Sequence, residues 1–289
     1  MVDLYCSWCE GLPQSKKALG IIRDSNEFSG IEMSNSGEEM DLVLDAGLKV
    51  SIHNPSRFFR VSLESPNFIP TIAENPILIE SCKKASLPFV SFHAGQTQWY
   101  SKMMSPETII SNTRKSIRFL DRELNKKILF ELSSFPIELG LGGEFEKRSG
   151  LYATSKEYMK DIVSTTNAGV LLDVSHTLNS ASTKIRSNNF KGNEKDYFMD
   201  VLMSIAKDIF QMHINCPSYT KANGFRDEHL ELKSSGIESK NVFECTAETI
   251  AVSPNLKMIT LEIEPLVEPI KHARIMVKQA KLVRKKLNL

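Results

Sequence analysis

Residues 169–176 read Gly-Val-Leu-Leu-Asp-Val-Ser-His. A short apolar run of this kind is typical of a strand that is buried on both faces, as in a parallel sheet. An acid and a histidine, Asp173 and His176, follow where that strand should end. The stretch therefore predicts a parallel sheet with a functional site at the carboxyl ends of its strands.

Seven further short apolar runs occur along the chain, separated by helical patterns or long connections. The eight predicted strands are Val2–Ser7, Gly30–Ser34, Lys49–His53, Pro88–His93, Lys127–Glu131, Gly169–Val174, Ile209–His213 and Met258–Glu262. The predicted helices are Pro13–Asp24, Gly37–Asp45, Pro106–Asn125, Ser155–Thr166, Glu194–Lys207, Pro269–Lys286 and a short helix near Glu244–Ala251. This order predicts an α/β fold, a single-domain (β/α)8 TIM barrel over residues 1–289. An open doubly wound sheet is the alternative, but the first strand-helix turn lacks a Gly-rich phosphate motif.

The composition is that of an ordinary globular protein, with 289 residues, 41% hydrophobic and 25% charged. It excludes disordered, collagen-like and disulfide-stapled chains. The formal net charge of +1 argues against a protein that coats nucleic acid by charge alone. We expect a cytoplasmic monomer without membrane association, because the sequence shows no export signal and no long apolar run. Cys6 and Cys9 have the spacing of a redox or metal pair, but no second pair accompanies them.

Candidate metal ligands occur at or just beyond the predicted strand ends and in the loop after the seventh strand. The nine candidates are His53, His93, Glu131, Asp173, His176, His213, Asp227, His229 and Glu262. In a barrel these positions converge on one rim. Imidazole and carboxylate suit divalent ions, with zinc as the expected ion and manganese or iron as alternatives. Nine ligands exceed the need of one ion and predict two or three, with a bridging carboxylate.

The ordered set of motifs resembles endonuclease IV (AP endonuclease family 2) and, more broadly, the xylose-isomerase-like TIM barrel superfamily. The motifs run from residue 49 to residue 262 in the family's order. They are Ser51-Ile52-His53, Phe92-His93-Ala94-Gly95, Phe130-Glu131-Leu132, Asp173-Val174-Ser175-His176, His213-Ile214-Asn215, Asp227-Glu228-His229 and Leu261-Glu262. The sixth histidine, His272, lies in the basic terminal helix, where we expect a structural or solvated role.

The resemblance implies a hydrolase that cleaves the backbone of double-stranded DNA at abasic or damaged sites. It implies three ions in three ligand groups, of which the first two share Glu131. These groups are His53, His93 and Glu131; Glu131, Asp173, His213 and Glu262; and His176, Asp227 and His229. Metal-activated water would attack the phosphodiester, and Glu131 would act as a catalytic residue that helps to orient it.

The chain departs from that family in the segments that recognise DNA. The family's first-strand His-Val-Ser-like motif is replaced by Leu4-Tyr5-Cys6-Ser7-Trp8-Cys9, and its tyrosine-bearing segment is replaced by residues 53–60. Candidate substrate contacts in the second segment are Arg57, Phe58, Phe59 and Arg60, with arginine on phosphate and phenylalanine as a stacking wedge. The alternative is a loop that simply packs its two phenylalanines.

Two other enzyme classes fit part of the pattern. A multinuclear non-haem iron oxidase that modifies a cysteine-containing peptide would use a similar ligand set, and Glu262-Ile263-Glu264 resembles the paired acids of some such enzymes. A metal-dependent sugar isomerase or epimerase would use fewer ligands together with an acid or lysine base. A binding protein without catalysis is least favoured, because it has little use for so many converging ligands.

Overall fold

The computed structural model describes residues 2–8, 16–34, 38–95, 104–133, 152, 155–221, 224–263 and 268–289, apart from the side chain of Phe58. Its strands are β1 (Asp3–Trp8), β2 (Gly30–Met33), β3 (Lys49–Ile52), β4 (Phe89–Ala94), β5 (Lys127–Leu132), β6 (Gly169–Asp173), β7 (Ile209–Ile214), β8 (Cys216–Thr220), β9 (Gly224–Leu230) and β10 (Met258–Leu261). All eight predicted strands are present, with ends that differ by at most one residue.

Eight of these strands form one parallel sheet in the order β3-β2-β1-β10-β7-β6-β5-β4. The sheet closes between its outer strands β3 and β4 through a parallel bridge that pairs His53 with Ser91. There the Asn54 N–H donates to the Ser91 carbonyl at 2.7 Å, and the Ser86 N–H donates to the Val50 carbonyl at 2.8 Å. The result is a nearly closed barrel, so the predicted (β/α)8 fold is confirmed and the open sheet is excluded.

Helices surround the barrel. They are α1 (Lys16–Asp24), α2 (Glu38–Asp45), α3 (Phe68–Ala73), α4 (Pro76–Lys84), α5 (Pro106–Leu124), α6 (Lys156–Val163), α7 (Val174–Arg186), α8 (Glu194–Ile205), α9 (Ile237–Val252) and α10 (Pro269–Leu287), with 3-10 turns at Pro55–Phe59 and Ala206–Asp208. Helix α5 begins as the sequence predicts, since the Ser105 hydroxyl accepts from the Thr108 N–H and Pro106 occupies the first turn. Within the described part of the chain, no helix combines the length and the apolar character needed to cross a bilayer.

Four features differ from the sequence prediction. Two short helices, α3 and α4, occupy the connection between β3 and β4, for which no helix is predicted. Helix α7 is absent from that prediction because its apolar stripe of Val174, Leu178, Ala181 and Ile185 is narrow and lies among Ser and Thr residues, yet almost all of the helix is buried. The long connection after β7 contains an antiparallel hairpin, β8 and β9, where the sequence predicts a loop. Helix α9 is twice as long as the predicted Glu244–Ala251 and begins at Ile237.

The barrel interior is filled by side chains at alternate strand positions. Toward the amino ends of the strands lies a separate apolar cluster of Tyr5, Phe89, Leu129, Leu171 and Met258. The next interior positions are polar and buried, and they hold Glu32, Ser51, Ser91, Gln211 and Thr260. The candidate metal ligands follow at the carboxyl ends. Their side chains therefore stand on a polar layer within the barrel instead of an apolar one.

Gly30 provides a test of the packing at the base of the barrel. A Cβ on Gly30 would lie 2.4 Å from the Lys49 carbonyl oxygen and 2.5 Å from Tyr5 Cε1. We expect Gly30→Ala to lower the free energy of unfolding by about 1–3 kcal/mol, because backbone and ring must both move. Urea unfolding followed by circular dichroism measures this.

Gly20, in the middle of α1, is the matched control, since a Cβ there meets no atom within 4 Å. Gly20→Ala should raise the free energy of unfolding by about 0.5–1 kcal/mol, because alanine favours the helix. Equal effects of the two substitutions would contradict this account of the packing.

Candidate metal centre

The structure brings all nine predicted ligands together at the carboxyl ends of the strands. Six are at the ends of β3, β4, β5, β6, β7 and β10 or directly after them: His53, His93, Glu131, Asp173, His213 and Glu262. His176 lies in the first turn of α7, while Asp227 and His229 lie on β9. Three sets drawn from these nine residues have ligand atoms within 4.8 Å of one another: His53, His93 and Glu131; Glu131, Asp173 and His213; and His176, Asp227 and His229.

Glu131 lies at the middle of the cluster and is only 1% exposed. Its Oε2 atom lies 3.2 Å from His53 Nε2 and 3.0 Å from His93 Nε2. Its Oε1 atom lies 3.0 Å from His176 Nδ1 and 3.9 Å from His213 Nδ1. Both carboxylate oxygens thus face separate groups of imidazoles, which is the arrangement required of a bridging ligand.

The group around His213 forms the inner part of the centre. His213 Nδ1 lies 3.0 Å from Glu262 Oε2 and 3.9 Å from Asp173 Oδ2. Asp173 uses its other oxygen to cap α7, since Oδ1 accepts from the His176 N–H at 2.7 Å. Only Oδ2 is therefore directed into the centre, and the cap fixes its direction.

The outer part of the centre depends on the β8–β9 hairpin. Asp227 Oδ2 lies 2.9 Å from His176 Nε2, and Asp227 Oδ1 lies 3.3 Å from His229 Nε2. His229 has a left-handed backbone conformation with φ of 47°. The hairpin is held against α7, because the Phe225 N–H donates to Ser182 Oγ at 2.9 Å. The otherwise polar helix α7 thus positions two ligands of a different element.

The hydrogen bonds behind two histidines define which ring nitrogen faces the centre. The Ser91 hydroxyl donates to the Ile52 carbonyl, so it accepts from His53 Nδ1, 3.0 Å away, and leaves His53 Nε2 as the lone pair in the centre. The Leu132 carbonyl lies 3.0 Å from His176 Nδ1 and can only accept. His176 Nε2, 2.9 Å from Asp227 Oδ2, is therefore the nitrogen that would bind an ion after losing its proton.

The donor atoms suit divalent cations. Within the described part of the chain, both Glu131 oxygens, Asp173 Oδ2, His213 Nδ1, Asp227 Oδ1 and Glu262 Oε2 are buried and point at one another without well-directed hydrogen bonds. Buried carboxylates of this kind cost several kcal/mol each unless cations compensate them. Imidazole and carboxylate donors of this kind suit zinc, manganese or iron. That these residues bind metal stays a prediction.

Burial and neighbouring charge shift the ionisation of these groups in opposite directions. Burial lowers the pKa of His53 to about 4, so its ring is neutral at pH 7. Burial alone would also lower the pKa of His229, but Glu262 and Asp227 outweigh it and raise that pKa to about 10. Burial raises the pKa of Asp173 to about 6.

Sequence reasoning missed Glu32, which lies on β2 and is fully buried directly below the centre. Its Oε1 atom lies 2.7 Å from His213 Nε2. Glu32, His53 and His213 also bring one ligand atom each within 4.8 Å of one another. The available signal was an acid at an alternate position of an otherwise apolar strand.

The predicted substrate segment lies beside the centre, directly after His53. Arg57, Phe58 and Phe59 belong to the 3-10 turn, and Arg60 ends it with a left-handed backbone. Phe59 is 41% exposed and Arg60 is exposed, whereas Arg57 is half-buried. The segment is thus on the correct rim, and its contact with a substrate stays a prediction.

Three other features named in the sequence analysis are not part of the described centre. Cys6 is buried in β1, whereas Cys9, its proposed pair, lies outside the described residues. Glu264, on which the iron oxidase alternative depends, also lies outside them. His272 is buried in α10 with its ring 6.0 Å from that of Trp8, which fits the structural role expected of it.

Comparison with solved structures gives long matches at low sequence identity. A xylose isomerase domain protein from Alicyclobacillus acidocaldarius matches with a TM-score of 0.61 at 14% identity, over 99% of this chain and 100% of the other. The chain has a xylose isomerase-like barrel fold. A D-psicose 3-epimerase from Clostridium cellulolyticum matches with a TM-score of 0.62 at 12% identity, over 99% and 98%. Endonuclease IV from Thermus thermophilus matches with a TM-score of 0.56 at 14% identity, over 96% and 99%.

No protein-family profile and no curated protein matches this chain. The solved structures therefore confirm the expected barrel fold. They include enzymes of more than one reaction class.

The raised pKa of His229 predicts that an ion must displace a proton to bind there. We expect zinc binding to release at least one proton at pH 7 and to strengthen by about tenfold per pH unit for each proton displaced. The affinity should level off as the pH passes the His229 pKa of about 10. Calorimetric titration with zinc in buffers of different ionisation enthalpy measures the proton number.

The raised pKa of His229 has the opposite effect on the stability of the metal-free fold. The protonated His229 ring, beside Glu262 and Asp227, stabilises the fold in full below pH 6.5, and this contribution is lost as pH rises through about 10. Metal-free protein should therefore lose stability in alkaline solution. Zinc binding without proton release would contradict the assignment of His229.

Proposed function

We propose that this protein is a metal-dependent hydrolase that cleaves the phosphodiester backbone of double-stranded DNA at abasic or otherwise damaged sites, acting as a monomer. The observation that carries the proposal is the outer group of His176, Asp227 and His229, which adjoins the inner groups through contacts of His176 and His229. An enzyme with a single ion needs only the inner ligands. Three adjoining groups match the ligand pattern that the endonuclease IV resemblance implies.

Three ions would be held as follows. The first would bind His53, His93 and Glu131, the second Glu131, Asp173, His213 and Glu262, and the third His176, Asp227 and His229. Bound ions of this kind lower the pKa of water and stabilise the negative charge that develops on a phosphate ester. Zinc is the ion we propose, because mixed imidazole and carboxylate sets are typical of it.

The chain's own side chains would orient the reactants. Glu131 reaches all three groups, so it is the residue best placed to accept a hydrogen bond from the attacking water. Ser91 and the Leu132 carbonyl hold the His53 and His176 rings in fixed orientations. These two rings would therefore not have to change orientation when ions and substrate bind.

DNA recognition would rest on the rim segment that follows His53. Arg57 and Arg60 would contact backbone phosphates, and the exposed Phe59 ring, with Phe58 as a second candidate, would stack in the gap left by a missing base. Because the net charge is only +1, affinity would depend on this local segment more than on overall charge.

A metal-dependent sugar isomerase or epimerase is the second candidate. It is favoured by the match to a D-psicose 3-epimerase over nearly the whole chain. The group formed by Glu131, Asp173, His213 and Glu262 would suffice for one ion that polarises a sugar carbonyl. This function leaves the outer group without a role.

Incision of a duplex oligonucleotide that carries one abasic site tests the proposal. We expect zinc-loaded protein to cut at that site, and His229→Asn to lose one ion and reduce the rate at least tenfold, because the outer group supports the transition state. Asparagine is chosen because it tolerates the left-handed backbone of His229. Metal content by elemental analysis and the incision rate are measured on the same samples.

Glu228→Gln is the matched control, since Glu228 is exposed and lies between the two ligands of the hairpin. It should keep the wild-type metal content and rate. A fully loaded wild-type protein that cuts no abasic DNA but epimerises D-psicose would overturn the proposal in favour of the second candidate.

A further inference from the structure

Glu32 is a buried acid that the proposed reaction does not use. It lies on β2, in the polar interior layer one step below the candidate ligands, and its side chain has no exposed surface. A carboxylate in this position is costly unless it is fully engaged by partners. Its two oxygens face two residues of β7.

One partner of Glu32 is a candidate ligand. Glu32 Oε1 lies 2.7 Å from His213 Nε2, on the side of the ring opposite to the centre. The contact is close but is not a well-directed hydrogen bond in the structure. An ionised carboxylate only accepts hydrogen bonds, so this contact favours the ring form with a hydrogen on His213 Nε2. The other ring nitrogen, Nδ1, is then the one directed at Glu131, Asp173 and Glu262.

The second partner is Gln211, whose Nε2 amide donates to Glu32 Oε2. The same amide also donates to Thr260 Oγ1 at 3.3 Å. Gln211 Nε2 is 3.2 Å from His213 Nε2 as well, but its two hydrogens are already directed at Glu32 and Thr260. The ring N–H of His213 is therefore left for the carboxylate.

We propose that Glu32 is a positioning residue that holds His213 with Nε2 protonated and Nδ1 aimed at the inner ion, and that strengthens His213 as a donor. The inference rests on the metal centre proposed above and is independent of the substrate. His53 and His176 are backed by a hydroxyl and a carbonyl, which are neutral. His176 Nδ1 also lies 3.0 Å from Glu131, but that carboxylate is itself a candidate ligand. Outside the nine candidate ligands, the only charged acceptor found behind a ring in the described part of the centre is Glu32, behind His213, where three carboxylates already compete for Nδ1.

Glu32→Gln tests the proposal, because glutamine keeps the shape of the side chain and removes its charge. At saturating zinc the variant should bind as many ions as wild type, with one of them held about 10- to 100-fold more weakly. Zinc content after equilibration over a series of buffered zinc concentrations gives both quantities.

Ser51→Ala is the matched control. Ser51 lies in the same buried layer, pairs with Glu32 across β2 and β3, and its hydroxyl makes no hydrogen bond in the described structure. It should leave every zinc affinity unchanged. A weakening of equal size in both variants would show a merely structural effect and would overturn the proposal.

The ring proton of His213 gives a second readout that does not depend on the variants. In zinc-loaded wild-type protein labelled with 15N-histidine, we expect a downfield Nε2 proton that shifts in Glu32→Gln and not in Ser51→Ala. A wild-type His213 without an Nε2 proton would overturn the proposal even if Glu32→Gln failed to fold.

Two further outcomes separate this inference from the function proposed above. If Glu32→Gln lacks one ion even at saturating zinc, Glu32 is a ligand and the positioning role is wrong, while the metal centre stands. If wild-type protein binds no zinc, manganese or iron, the metal centre itself fails, and the positioning role with it.

Discussion

The arrangement of this barrel depends on the burial of one carboxylate among imidazoles. Burial opposes the charge on Glu131, but the neighbouring rings of His93, His53 and His176 together lower its pKa well below the ordinary value. Such a group is held as an anion only while each of its neighbours stays in place. The strand ends, the cap of α7 and the β8–β9 hairpin all serve to keep those neighbours in position.

The polar layer beneath the ligands is the second consequence of this constraint. Barrels of this type usually fill the interior with branched apolar side chains. Here Glu32, Gln211 and Thr260 occupy that space and form a connected set of hydrogen bonds. These bonds connect the layer and offset part of the cost of burying polar groups, although Glu32 Oε1 and Gln211 Oε1 lack well-directed hydrogen bonds.

Much of this could be predicted from the sequence, because it follows from short-range patterns. Runs such as Gly169–Asp173 identify buried strands, and the barrel then brings strand-end residues together without further information. Helix α7 is missing from the prediction although Val174, Leu178 and Ala181 recur at helical spacing, because its many serine and threonine residues favour caps and turns over helix interiors. Their hydroxyl groups bond locally, as Thr177 Oγ1 does to the Asp173 carbonyl at 2.7 Å. An acid in an apolar strand indicates that Glu32 is unusual, but its role could not be predicted because its partner, Gln211, lies 179 residues away. No local pattern reports a pairing of that kind.

The closure of the barrel at His53 ties the architecture to the centre. Strands β3 and β4 meet through the His53–Ser91 bridge, and the two rings at that seam, His53 and His93, have their Nε2 atoms 3.0 Å apart on Glu131. An ion that binds both rings would also hold the outer strands β3 and β4 together. Occupancy of the proposed first ion site and closure of the barrel would therefore be thermodynamically linked, and removal of that ion would weaken the β3–β4 seam.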